Sequence, residues 1–191
     1  MRCFSCHLFS SKPLCDKCRK ELFLPTIKSR QIGSLDVISF YRYSTIQPLL
    51  LHKHKAEGYR IFNYFSKSIL QPFIESFLLD NQEDTYIIGI DEKIKNGYSH
   101  IACLTHHIKG HSSKILHASL LAKNSVTYAG KSLAYRLNNP RDFHYSGPSD
   151  IDAILVDDII TTGVTLQEAQ RILTQKGVNV LFALTLADAK E

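Results

Sequence analysis

Apolar positions along this chain alternate between two periods. Across residues 46–79 they recur at helical spacing, with Ile61, Phe62, Phe65, Ile69, Phe73 and Phe77 on one stripe and breaks expected near Gly58 and Pro72. The stripe reads as core. Around this block lie short apolar runs bounded by turn residues, which predict strands. Residues 34–43, with β-branched and alternating character, predict a first strand or edge hairpin; 86–90, 114–118, 151–156 and 178–186 predict the others. Residues 97–108, 130–137 (ended by Pro140) and 165–176 predict further helices. The last carries Leu166, Ala169, Ile172 and Leu173 on one face, with Gly177 as its stop. Strands that alternate with helices predict an α/β fold whose parallel sheet is covered on both faces.

Composition narrows this picture modestly. A chain of 191 residues holds one medium α/β domain plus a small appendage, and 44% apolar content is that of a globular protein. There is no run of about 18 apolar residues, so no transmembrane segment is expected. The first ten residues, MRCFSCHLFS, lack the apolar core of a secretion signal, and the expected location is cytoplasmic. The net charge of +5 is a moderate basic bias, compatible with nucleic acid or acidic lipid and specific to neither. The segments 52–55 (HKHK) and 12–20 are basic enough to contact phosphates, although solvated surface charge explains each equally well.

Four of the five cysteines, Cys3, Cys6, Cys15 and Cys18, form a C-x2-C-x8-C-x2-C pattern. Two facing CxxC turns supply four thiolates for a tetrahedral metal, and Zn²⁺ in a closed structural site is the expected occupant. A disulfide pair is the rival reading, disfavoured in a cytoplasmic chain. A redox CxxC lacks its strand-helix context. His7 could substitute for one thiolate but reads better as a loop residue, and Cys103, in an apolar stretch, as a buried helix position. Residues 1–30 are therefore expected to be a four-cysteine zinc-finger module and linker, and residues 31–191 a second unit.

The segment 154–165, ILVDDIITTGVT, carries the candidate chemistry. An apolar strand is expected to end at two adjacent acids, Asp157 and Asp158. A small hydroxyl-rich turn follows, Thr161, Thr162, Gly163, Val164 and Thr165, at the start of a helix. Ligands of open α/β sheets bind outside the carboxyl ends of strands. Backbone N–H groups and threonine hydroxyls in such a turn suit a phosphate, and carboxylates suit sugar hydroxyls or a divalent ion. Asp91, after the strand at 86–90, is expected at the same edge.

This segment resembles the PRPP-binding motif of type I phosphoribosyltransferases. The resemblance implies that Asp157 and Asp158 hold the ribose hydroxyls and that Thr161–Thr165 hold the 5-phosphate. It also implies a phosphoribosyltransferase-like, Rossmann-like parallel sheet. Together with the four-cysteine module, the chain resembles the ComF family of competence proteins, the ComFC type in particular. Further segments agree in place: Lys55-Ala-Glu-Gly58 with a K-x-x-G signature, Arg136-Leu-Asn138 before Phe143 with an R-x-N segment, and Asn96 to His100 with Arg-Gly-Phe-Asn-Gln. Gly89, Ile90 and Asp91 stand where that family has Pro-Val-Pro. This assigns Ile90 and Asp91 to a pyrophosphate loop, with Lys93 and Lys95 near it.

The resemblance implies a role in natural transformation: handling incoming single-stranded DNA at the cytoplasmic side of the inner membrane, peripheral to it, beside a helicase-like competence partner, with PRPP and Mg²⁺ as ligands. Two alternatives remain open. One is an active PRPP-dependent phosphoribosyltransferase of nucleotide metabolism, in which positioning and charge stabilisation would dominate. The other is a non-catalytic PRPP sensor. No catalytic base and no nucleobase pocket are identifiable in the sequence.

Overall fold

The computed structural model describes residues 2–79, 84–92, 94, 97–108, 113–126, 128 and 130–190. Its elements begin with α1 (Asp16–Glu21), β1 (Lys28–Ile32), β2 (Leu35–Arg42), α2 (Tyr43–Leu50) and α3 (Gly58–Phe65). A π-helical turn (Ser66–Leu70) leads into α4 (Gln71–Leu79), followed by β3 (Thr85–Gly89), α5 (His100–Thr105), β4 (Ser113–Leu116) and β5 (Leu120–Ala122). The chain closes with α6 (Leu133–Asn138), β6 (Phe143–Tyr145), β7 (Ile151–Ile160), α7 (Val164–Gln175) and β8 (Val178–Asp188).

Six strands form one sheet in the order β1-β2-β8-β7-β3-β4, and β5 pairs with β6 alone. All neighbours in the large sheet are parallel except β1 and β2, which form a hairpin. The α/β architecture with a mostly parallel sheet is the expected one. Both faces of the sheet are covered, which explains why its central strands read as continuous apolar runs. On one face Ile46, Phe62, Phe65 and Leu104 pack against Ile154, Val156 and Leu184. On the other, Leu166, Ala169 and Leu173 of α7 pack against Leu155 and Ala183. Each fully buried Phe or Leu contributes about 1.5–3 kcal/mol. Cys3, Leu14, Cys18 and Phe23 are buried in the first of these clusters, so the N-terminal turns share a core with α2–α5.

Three features differ from expectation. The strand at 34–43 is the inner arm of an edge hairpin: β2 lies between β1 and β8, and the outermost strand is the polar segment Lys28–Ile32, for which no strand is expected. Pro72 does not break the helix. Gln71 N–H bonds to Ser66 C=O across five residues, so the π turn absorbs the register change just before a residue with no N–H to donate. Finally, Asp157 and Asp158 do not follow β7 but lie inside it. β8 continues alongside, giving Asp157 a ladder partner in Thr185 and Ile160 one in Asp188. No helix among the described residues is long and apolar enough to cross a membrane.

Candidate functional site

Alternation along β7 sends its two acids to opposite faces. Asp157 is half-buried and, with Ile160, Thr161, Gly163 and Thr165, lines one small cavity. Asp158, 7% exposed, turns instead toward the helices of the first core cluster. There its Oδ2 lies 3.1 Å from Lys53 Nζ and 3.3 Å from His100 Nε2. Burial drives both carboxyls toward the neutral form. For Asp157 that effect, with the charge of Asp158 beside it, holds the carboxyl well above the ordinary range. For Asp158 the Lys53 ammonium and the His100 hydrogen bond outweigh burial and hold it below that range. The backbone N–H of Asp158 donates to Asp157 Oδ1 at 2.8 Å, which fixes the outward acid.

The turn after β7 is shaped by Gly163, the N-cap of α7, at φ +85°. A side chain here would be strained, and its Cβ would stand 2.6 Å from Ile32 Cγ2. The first N–H groups of the twelve-residue α7 open at this point. Two guanidinium groups meet Thr161. Arg30 Nη2 donates to its carbonyl at 2.6 Å while Arg30 Nε pairs with Asp188 at 2.9 Å. Arg136 Nη1 donates to its hydroxyl. The structure therefore brings together Asp157 and the 161–165 turn, and surrounds the turn with basic groups.

Ile90 and Asp91 lie at the same carboxyl edge, since β3 pairs with β7 at Gly89–Val156. Both are buried, and their N–H groups are engaged: Ile90 with Val156 C=O at 2.9 Å, Asp91 with Leu120 C=O at 3.2 Å. Burial raises the Asp91 carboxyl above the ordinary range, although Ser99 Oγ donates to it at 2.6 Å. Consecutive residues at the start of α5 thus hold two acids, Ser99 on Asp91 and His100 on Asp158. Lys93, Lys95 and Asn96 lie outside the described residues.

Sequence reasoning gave no site role to Lys53, His100, Arg30 or Arg136. Lys53 belongs to the basic 52–55 segment, which reads equally as phosphate contact or as surface charge. Its position is set by Tyr98, whose hydroxyl lies 2.8 Å from Lys53 C=O and 2.9 Å from Lys55 C=O. Gly58 makes room for this: a Cβ there would meet His52 O at 2.1 Å and Tyr98 Oη at 2.2 Å. The spacing of Lys55 and Gly58 carries that signal. Nothing in the sequence points from Lys53 to Asp158.

At the N-terminus the sulfurs of Cys3, Cys6, Cys15 and Cys18 all lie within 4.8 Å of one another, and the cysteines are unbridged. Cys6 and Cys15 Sγ are 3.7 Å apart, close to the edge of about 3.8 Å expected for a tetrahedron with metal–sulfur bonds of about 2.3 Å. Burial opposes ionisation of Cys3, but backbone N–H groups of Cys15, Cys6 and Ser5 bring its thiol down to about 6. The donor set suits a thiophilic ion such as zinc. His7 is exposed and outside the cluster. Cys103 is buried in α5, its thiol pushed up to about 11 by burial. A cavity of about 380 Å³ opens at the opposite end of the sheet. Its carboxylates are already engaged: Asp84 with Lys114, Asp150 with Ser149 and Asp152 with Asn179.

No family model matches this chain, and no curated protein matches it in sequence. Among solved structures the chain is similar to a hypoxanthine phosphoribosyltransferase from Staphylococcus aureus, at 20% identity over 66% of this chain and 64% of that one, with a TM-score of 0.42. It thus spans somewhat less than two thirds of that protein's length. It is similar to an adenine phosphoribosyltransferase from Saccharomyces cerevisiae at 17% identity, over 91% and 89% of the two chains, with a TM-score of 0.45. An orotate phosphoribosyltransferase from Aeropyrum pernix is similar at 16% identity, over 92% and 81%, with a TM-score of 0.42.

Proposed function

We propose that residues 157–165 bind a phosphorylated ribose, with PRPP the first candidate. The observation that carries this reading is the shared cavity of Asp157, Thr161, Gly163 and Thr165 at the first turn of α7. Thr161, Thr162, Gly163, Val164 and Thr165 would hold the 5-phosphate through backbone N–H and hydroxyl groups. Asp157 would face the sugar hydroxyls, and Asp158 would support it from the opposite face. Ile90 and Asp91 would stand toward the pyrophosphate. Mg²⁺ would arrive bound to the ligand's own phosphates, with Asp157 as the carboxylate on that side. The four cysteines would hold one structural Zn²⁺, with residues 1–30 as the module and a linker whose last residues enter β1 of the sheet, and 31–191 as the phosphoribosyltransferase-like unit.

Calorimetric titration with PRPP and Mg²⁺ tests the site. Asp157→Ala should weaken PRPP far more than inorganic phosphate, because the ribose contact is lost while the turn and the Asp158–Lys53 pair are kept. Equal losses for both ligands would remove Asp157 from the ribose site.

The finer reading follows the family resemblance: a competence protein for natural transformation that handles single-stranded DNA at the cytoplasmic face of the inner membrane, beside a helicase-like partner. The four-cysteine cluster on the same chain and the +5 charge support it. Affinity for oligonucleotides should then fall linearly with salt on a log–log scale and depend little on base sequence. No binding at low salt would leave only a partner-mediated role. Pyrophosphate release from PRPP, with and without single-stranded DNA, separates a transferase from a sensor.

A further inference from the structure

Arg136 stands apart from the other buried or half-buried cations near the site. Arg30 is paired with Asp188, Arg141 with Glu92 and Lys53 with Asp158. Among the described residues no carboxylate lies within ion-pair distance of Arg136. Among the described residues its guanidinium donates to three neutral oxygens. Nε donates to Lys131 C=O at 3.2 Å, Nη2 to Tyr128 C=O at 2.9 Å, and Nη1 to Thr161 Oγ1. The Tyr128 ring lies 5.4 Å from the guanidinium carbon, and the Tyr128 hydroxyl donates back to Asn139 C=O at 2.6 Å. Two arms of the fork are thus fixed to the main-chain carbonyls of Lys131 and Tyr128. The third reaches across to the first residue of the phosphate turn.

A charge satisfied only by neutral acceptors gains when an anion replaces one of them. A phosphate adds the attraction of two opposite charges to a bond the guanidinium already makes, and Arg–phosphate pairs are among the strong ones. The arm that touches Thr161 is the one free to make that exchange, because Nε and Nη2 are held independently of the ligand. We infer that Arg136 is the counter-charge that makes the 161–165 turn selective for a dianionic phosphate monoester of a sugar, a role that rests on the ribose-phosphate reading of that turn.

The test uses ribose 5-phosphate and inorganic phosphate as probes, titrated into the full chain between pH 5 and pH 8. A phosphomonoester takes its second charge near pH 6. Wild-type affinity should therefore rise with pH, and Arg136→Gln should bind about 10- to 100-fold more weakly at pH 8, with a flattened profile. Arg136→Lys, a point charge without the fork, should keep the slope and lose part of the affinity. Asp157 across the cavity also gains charge as pH rises and opposes a dianion. The Arg30–Asp188 and Arg141–Glu92 pairs near Thr161 and Tyr128 are present in every variant, as is Asp157, so the comparison between variants isolates Arg136.

A second measurement does not depend on any variant folding. Phenylglyoxal modification of the wild-type chain, mapped by mass spectrometry, should show Arg136 protected by ribose 5-phosphate and not by ribose. Equal modification with and without the phosphate ester overturns the inference, as does an Arg136→Gln profile that superimposes on wild type. If the wild-type chain does not bind ribose 5-phosphate at pH 8, the reading of the turn itself fails, and the role of Arg136 with it.

Discussion

Replacing Lys53 with methionine removes the ammonium that faces Asp158 and keeps most of the aliphatic stem. At 3.1 Å and an effective dielectric of about 20, the pair attracts by about 5 kcal/mol before desolvation is subtracted. Breaking a buried pair by removing one partner costs about 3–5 kcal/mol. His100 remains at 3.3 Å, and the Lys53 side chain is 30% exposed, so about 2–3 kcal/mol is the expected loss. For a chain of this size that lowers Tm by about 5–10 °C. The pH dependence has a definite sign. Asp158 is held below its unfolded value, so its contribution is complete above about pH 4 and is lost as pH falls through the folded value. Without Lys53 the folded value rises, the variant takes up a proton sooner, and the gap between the two proteins narrows on acidification. Urea unfolding at pH 7 and pH 4 measures both effects. Adding Asp158→Asn to Lys53→Met should recover most of the loss. A Lys53→Met protein within about 0.5 kcal/mol of wild type at pH 7, or a gap that widens in acid, would refute the coupling.

Gly163→Ala should destabilise the fold by about 1–3 kcal/mol, since φ +85° and the 2.6 Å approach to Ile32 both resist a Cβ; chemical denaturation at wild-type stability would contradict this. Asp157→Asn should weaken PRPP yet hold or raise stability at pH 7. The folded value of Asp157 lies above the unfolded one, so its charge costs stability as pH rises through that folded value, and asparagine removes the cost. A lower Tm that grows worse with pH would sink that argument. Metal analysis should find one zinc per chain, and chelation should lower Tm, because Cys3 and Cys18 lie in the main core cluster. A metal-free protein with unchanged Tm would exclude a structural ion.

The central strands, α7 and the core stripe of α3–α4 were legible in the sequence because burial on both sides demands uninterrupted apolar runs or a helical stripe. β1 was not, since an antiparallel edge tolerates Lys28, Ser29, Arg30 and Gln31 with little burial. The end of β7 was misplaced because a carboxylate pair reads as a terminus, whereas β8 offers ladder partners as far as Asp188. Of the candidate site, the turn and Asp157 were readable as a local pattern. Lys53, His100 and Arg136 are brought in from 105, 58 and 25 positions away by the sheet order and the 98–100 turn. Such distant pairings leave no periodic trace in the sequence.

The most direct test of the ribose-phosphate site is an amide map: ¹H–¹⁵N spectra of the labelled chain titrated with ribose 5-phosphate. A phosphate seated at the first turn of α7 predicts its largest and earliest shifts at the amides of Thr161, Thr162, Gly163, Val164 and Thr165, with smaller changes at Asp157. Shifts centred elsewhere on the chain, or none at saturating ligand, would contradict the account.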